Sequence, residues 1–289
     1  MPLLDSLFDQ DEVLAALRAG RARAMKPVGN TSVVLKVRLD GDLAAAWKPR
    51  TTTHPQGWRA EIAAYRIARL LGFDNVAPVV SRRFRADQIV ALLEGDPARW
   101  QERAAAVRWD ADGSVPGAAI YWIPRMEDLG LESPSAMARW APWLRQGSPV
   151  PSERVELARD LSNVVVFDYL IANWDRWSGE NLQALPGGRR LFVRDQNAAF
   201  LEPLPAHLRA RLAADLGRVE RFSRGVVEAL RALDEASLRE ELAQDPENAR
   251  APLLDDARIA AVLARRAEIL RHVEDLVARH GVYKVLAFD

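Results

Sequence analysis

The two halves of this 289-residue chain carry different periodicities. Up to about residue 124, short β-rich runs alternate with turn signals. Beyond 151, apolar residues recur at helical spacing. Pro124, Pro134, Pro142, Pro149 and Pro151 stand between the two patterns. Proline removes a backbone donor and fixes φ, so such a run separates regular elements. The expectation is an α+β chain with two lobes: a β-rich lobe over 1–124, a proline-rich hinge or linker over 125–151, and a helical lobe over 152–289. A chain this long buries a sizeable core.

In the first half, Leu3, Leu4, Leu7, Val13, Leu14 and Leu17 recur at helical spacing. They predict an amphipathic segment that closes over the first lobe or meets a partner. Val33, Val34, Leu35 and Val37 form a β run, Asp40-Gly41 is a hairpin signal, and a second strand follows over 43–48. Ala60, Ala63, Ala64, Ile67 and Leu71 share one face of a helix over 59–71, with Gly72 placed to end it. A strand over 76–84, a helical insertion over 86–109 and a strand over 118–123 complete this half. In the second half, helices are expected over 152–173, 205–216, 223–232, 235–243 and 255–280. Its one β signal is a hairpin over 182–195, turning at Pro186-Gly187-Gly188.

Composition excludes several function classes. The 40 basic and 40 acidic residues cancel, so no overall positive field argues for nucleic acid. With no cysteine there is no disulfide, thiolate zinc site or cysteine nucleophile. The four histidines show no metal spacing. The opening MPLLDSLFDQDE lacks the basic and apolar regions of a signal peptide, and no apolar run reaches membrane-spanning length. The expectation is a cytoplasmic protein with no membrane partner.

Chemistry concentrates in 167–200, FDYLIANWDRWSGENLQALPGGRRLFVRDQNAAF. Asp175 and Asn181 follow an apolar helical run. Asn181 directly precedes one hairpin strand, and the other strand, Leu191-Phe192-Val193, leads to Asp195 at its mouth. Oxygen ligands of this kind suit Mg²⁺ or Mn²⁺ shared with phosphates. Phosphoryl transfer needs one carboxylate facing an acceptor hydroxyl and a second carboxylate with an amide at the metal.

The order FDYLIANWDR, then Asn, then a strand-end Asp resembles the four-jointed and Golgi casein kinase group of secretory-pathway kinases. It is more distantly similar to phosphatidylinositol kinases and HipA-like kinases. The resemblance implies a two-lobed protein-kinase-like fold, with Asp175 as catalytic base and Asn181 and Asp195 as metal ligands. It also implies ATP with Mg or Mn. Lys48 at a strand end and Glu61 at a helix start resemble, in type and order, the lysine that holds the α/β-phosphates and its acidic partner; read alone, they are also an exposed lysine and a dipole-favoured glutamate. Gly29, Asn30, Thr31 and Ser32 lie where a phosphate-covering loop belongs, although any hairpin turn can look like this. Met126 lies where the interlobe segment passes and adenine packs, or else ends a core strand.

Two positions depart from the relatives. Trp177 stands where phosphatidylinositol kinases carry His, and Gln196-Asn197 follows Asp195 in place of Phe-Gly or Asp-Asn. The resemblance implies transfer of the γ-phosphate to a hydroxyl, with Ser or Thr of a protein or peptide favoured and a sugar-like small molecule the competitor. A nucleotide-binding pseudokinase and an AMP transferase are the other readings of the same fold.

Overall fold

The computed structural model describes residues 9–29, 32–188 and 190–289. The chain divides into two compact units. The first comprises 1–65, 77–124 and 243–253, the second 66–76, 125–242 and 254–289. The α+β reading holds: the first unit is built on a sheet and the second is mostly helical.

The first unit opens with α1 (Gln10–Ala19), whose N-terminus is capped by the Asp9 carboxylate, accepting from the amides of Asp11 and Glu12. Val13, Leu14 and Leu17 form its buried face as their spacing predicts, while Leu3, Leu4 and Leu7 lie outside the described residues. Next come β1 (Ala22–Val28), β2 (Val34–Leu39) and β3 (Ala44–Pro49), with Gly41 at φ 72° turning the chain from β2 to β3. The helix α2 (Gly57–Leu70) follows and ends at Gly72, whose φ of 60° suits a residue without a Cβ. Then come β4 (Val79–Arg85), α3 (Ala86–Leu92), α4 (Pro97–Ala104) and β5 (Ser114–Tyr121).

The strands form one antiparallel sheet in the order β1-β2-β3-β5-β4. Trp47 is fully buried and meets Phe84 edge-on, 5.1 Å between centroids. Its fit demands a glycine opposite. A Cβ on Gly117 would lie 2.6 Å from both Trp47 Nε1 and the Lys48 carbonyl oxygen. The strand register therefore fixes β3, and with it Lys48, from a neighbouring backbone.

The second unit contains β6 (Glu127–Asp128), α5 (Pro134–Trp140), α6 (Val155–Ile171), β7 (Leu182–Ala184), β8 (Leu191–Val193), α7 (Ala206–Leu216), α8 (Arg224–Ala232), α9 (Glu235–Ala243), α10 (Asp256–His280) and α11 (Val282–Val285). β6, β7 and β8 form a small antiparallel sheet. α6 is buried on nearly every side, as an apolar-all-round helix must be.

Two sequence expectations need correction. Residues 125–151 are not a linker but a folded part of the second unit. Pro134 is the first residue of α5, where its missing N–H has no partner to lose, and Leu131, Ala136, Trp140 and Leu144 are buried. The lobe boundaries also differ. Residues 66–76 join the second unit, where the Asn75 carbonyl accepts from Val193 N–H at 2.8 Å and Asn75 Nδ2 donates to the Leu191 carbonyl at 2.6 Å. Residues 243–253 return to the first unit, where the Asp245 carboxylate accepts from Ser81 N–H at 2.9 Å and Glu247 pairs with Arg83. No helix among the described residues is long and apolar enough to cross a membrane.

Candidate active site

Three devices place the residues that follow α6. The first is a sharp stop: Ala172 adopts the left-handed conformation (φ 54°, ψ 43°), and its N–H returns to the carbonyls of Asp168 and Tyr169. The second is Asn173, buried beyond the turn. Its Nδ2 donates to Gln196 Oε1 at 2.9 Å and to the Asp195 carbonyl at 3.3 Å, while its Oδ1 accepts from Asp175 N–H at 3.3 Å. The third is Arg176, only 1% exposed. Its Nε and Nη2 each donate to the Asp168 carboxylate at 2.9 Å, a two-pronged pair. Nη2 also donates to Gln196 Oε1 at 2.7 Å, and Nη1 reaches the carbonyls of Asn181 and Arg194. One guanidinium thus joins α6, the loop bearing Asp175 and Asn181, and the segment bearing Asp195. Burial pushes the Asp168 carboxyl above its ordinary range, and the Arg176 charge opposes that shift.

The predicted catalytic and metal-binding residues are brought together on this scaffold. The Asp175 backbone carbonyl accepts from Asn181 Nδ2 at 3.1 Å and Ser178 Oγ at 2.9 Å. Its half-buried carboxylate accepts no hydrogen bond from the described residues. Asn181 Nδ2 also donates to Ser178 Oγ at 3.0 Å. These bonds occupy the nitrogen end of the Asn181 amide. The backbone here is fixed from outside the loop: Glu132 Oε1 accepts from Asn181 N–H at 2.8 Å and from Leu182 N–H at 2.7 Å. Asp195 follows β8 at φ 56°, a strained conformation for a residue with a Cβ that Asp tolerates better than most, with Oδ1 3.5 Å from Asn197 N–H. Strain of this kind collects where a side chain must be aimed.

Among the described residues, no group of three or more His, Cys, Asp or Glu gathers as a metal cage. The donors present are one carboxylate, Asp195, and one amide oxygen, Asn181. That set of hard oxygen donors fits Mg²⁺ or Mn²⁺ sharing its remaining positions with phosphate and water.

In the first unit, Lys48 Nζ donates to Glu61 Oε1 at 2.6 Å, the side chains 15% and 3% exposed. The pair inferred from residue type and order is therefore formed. Gly29, at φ 68°, follows β1 and Ser32 shortly precedes β2, while Asn30 and Thr31 lie outside the described residues. Met126 is half-buried and directly precedes β6, just after the chain passes into the second unit.

Arg176, Asp168, Asn173 and Glu132 escape a motif reading because each acts through another residue. The one clue is polar residues inside the apolar run of α6, since Asp168 in such a helix needs a buried partner. The departures also find a place. Gln196 accepts from both Asn173 and Arg176, and Trp177 stacks on Trp140 with centroids 5.4 Å apart and 29° between planes.

No protein-family model matches the chain. It is 27% identical over 219 residues to four-jointed box protein 1 of Homo sapiens, covering 65% of this chain and 47% of that protein. It is 26% identical over 271 residues to glycosaminoglycan xylosylkinase of Homo sapiens, covering 80% of this chain and 63% of that one. The chain thus spans about half to less than two thirds of the length of these curated relatives. Among solved structures, the Golgi casein kinase with Mn/ADP bound superposes with a TM-score of 0.67 at 18% identity, over 96% of this chain and 78% of that one. Hydra Fam20 with sugar gives 0.71 at 17%, over 96% and 91%. At such identities the structural likeness establishes the fold, and it is a two-lobed kinase fold. The chain is thus similar in sequence to the four-jointed protein and the xylosylkinase and in fold to the Golgi casein kinase, in agreement with the resemblance carried by the order of its motifs.

Proposed function

We propose that the protein is an ATP-dependent kinase that transfers the γ-phosphate to a hydroxyl, with Ser or Thr of a protein or peptide the favoured acceptor. The observation that carries this reading is the 2.6 Å Lys48–Glu61 pair in a chain that also holds Asp175, Asn181 and Asp195 on one hydrogen-bonded scaffold. A scaffold module without transfer has no use for that full set.

Each residue has a defined task. Lys48, held by Glu61, neutralises charge on the α/β-phosphates. Asp195 and Asn181 hold the divalent ion, which when bound neutralises phosphate charge and orients the nucleotide. The Asp175 carboxylate orients the acceptor hydroxyl and receives its proton. The transition state of phosphoryl transfer is loose, so positioning and charge neutralisation outweigh base strength. That is why so many bonds here orient backbone rather than touch substrate.

A sugar-like acceptor is the second reading. It is favoured by the half-buried Trp177, stacked on Trp140 and two residues from Asp175, since an indole face suits the apolar face of a sugar ring. The xylosylkinase match, which covers more of this chain than the four-jointed match, points the same way. Labelled ATP incubated with cell extract, with and without its macromolecules, tests both readings. Label entering protein supports the first, label entering only small molecules supports the second, and no transfer into either fraction contradicts both.

A further inference from the structure

The helical insertion after β4 has no assigned task, and its polar contacts fall on the flanks of the β1–β2 connection and on the residues after Lys48. The segment is seated beside β1: Leu93 bridges Met25, and Glu94 N–H donates to the Met25 carbonyl at 2.7 Å. Asp96 then caps α4, accepting from the amides of Ala98 and Arg99. Trp100 is buried, which anchors the helix. Arg99 and Arg103, four residues apart, fall on one helical face. Arg103 Nη1 donates to the carbonyls of Val28 at 3.0 Å and Ser32 at 3.2 Å, and its Nη2 donates to the Gly29 carbonyl at 2.7 Å. Arg99 Nη2 donates to the same Gly29 carbonyl.

The insertion continues past α4 to the residues following Lys48. Val107 bridges Thr51, Arg108 N–H donates to the Arg50 carbonyl at 3.0 Å, and the Arg50 guanidinium returns to the Arg108 carbonyl. One segment therefore grips both ends of the β1–β2 connection and the exit of the Lys48 strand.

We propose that Arg103, with Arg99, is a positioning residue that holds the described flanks of the β1–β2 connection, Val28-Gly29 and Ser32, oriented for phosphate binding by occupying their carbonyls. A peptide plane whose carbonyl is bound on one side presents its N–H to the other, so the bound Val28 and Ser32 carbonyls orient the N–H groups of Gly29 and Val33 as donors for an anion. A bidentate guanidinium spanning three carbonyls sets plane orientation in a way that a single ammonium does not. The inference rests on the kinase reading, because it takes the connection after Gly29 to cover nucleotide phosphates.

The test compares ATP and adenosine binding, by calorimetry with Mn²⁺ present, in the unaltered protein and in Arg103→Ala and Arg103→Lys. A connection in its competent arrangement only a tenth of the time binds about tenfold more weakly. Arg103→Ala is expected to weaken ATP about tenfold and leave adenosine unchanged, with Arg103→Lys recovering only part. Should Arg103→Ala fail to fold, Arg103→Gln, which keeps one donor, carries the same comparison. If the unaltered protein binds no ATP, the kinase reading falls, and this inference with it. If it binds ATP and the variants bind it equally well, or lose adenosine in parallel, the positioning role alone is overturned.

Discussion

Replacing Arg176 by Ala tests the scaffold beneath the catalytic loop. The side chain is 1% exposed and sends two 2.9 Å bonds to a buried carboxylate, one of 2.7 Å to Gln196, and others to two backbone carbonyls. Removing one partner of a buried ion pair costs about 3–5 kcal/mol, because the other charge stays behind without compensation. That is a large part of the 5–15 kcal/mol typical of a whole domain. Asp168→Ala strands the guanidinium but spares its other bonds, so it should cost less. The double variant removes both charges, and its cost should fall short of the sum by at least about 2 kcal/mol. Urea unfolding of the four proteins measures the cycle. Single costs that add to within about 0.5 kcal/mol would refute the coupling, and with it the idea that this pair organises the loop.

The same variant carries a pH signature with a fixed sign. In Arg176→Ala the influence opposing burial is gone, so the folded-state pKa of Asp168 moves further above its unfolded value. A carboxyl with a raised folded pKa binds more protons when folded. Its stabilising contribution is therefore fully present below the ordinary carboxylate range and is lost as pH rises through the raised value. Unfolding midpoints of Arg176→Ala should rise on acidification from neutral pH relative to the unaltered protein, and a relative fall would contradict the assignment.

The remaining predictions concern turnover and loop order. Lys48→Met should lower phosphotransfer at least about a hundredfold, as expected when a charge on the phosphates is removed, with circular dichroism unchanged. Asp195→Ala should abolish Mn²⁺-dependent tightening of ATP binding, and calorimetry showing the same Mn²⁺ effect as the unaltered chain would remove Asp195 from the metal site. Glu132→Ala should cost about 1.5–3 kcal/mol, since it removes the oxygen that accepts from one buried and one half-buried backbone amide, and should speed proteolysis near Asn181. Gly117→Ala should be strongly destabilising in thermal unfolding, because the added Cβ meets Trp47 and the Lys48 carbonyl at 2.6 Å.

Legibility in the sequence followed a physical divide. Elements set by local chemistry could be read directly: the Asp40-Gly41 turn, the Gly72 helix stop, the apolar stripe of α10 and the 182–195 hairpin. Residues whose chemistry needs a given type are legible too: residue type and order alone pair Lys48 with Glu61, and the two meet at 2.6 Å. What could not be read depends on long-range contacts that leave no periodicity. Residues 243–253 continue a helical stretch yet join the first unit, because Asp245 binds Ser81 N–H. The prolines of 125–151 looked like a linker because the same residue breaks a helix inside and starts one at its first turn. Glu132 serves Asn181 from 49 positions away, and no spacing rule connects them.

The proposed mechanism places Asp175 against an acceptor hydroxyl in a γ-phosphate transfer. The most direct measurement is the mass of the product formed from ATP, Mn²⁺ and a captured acceptor, with the rate compared between the unaltered protein and Asp175→Asn. The acceptor should gain one phosphate, and the substitution should slow the reaction by about two to four orders of magnitude. A product that gains AMP, or an Asp175→Asn protein that transfers at an undiminished rate, would contradict it.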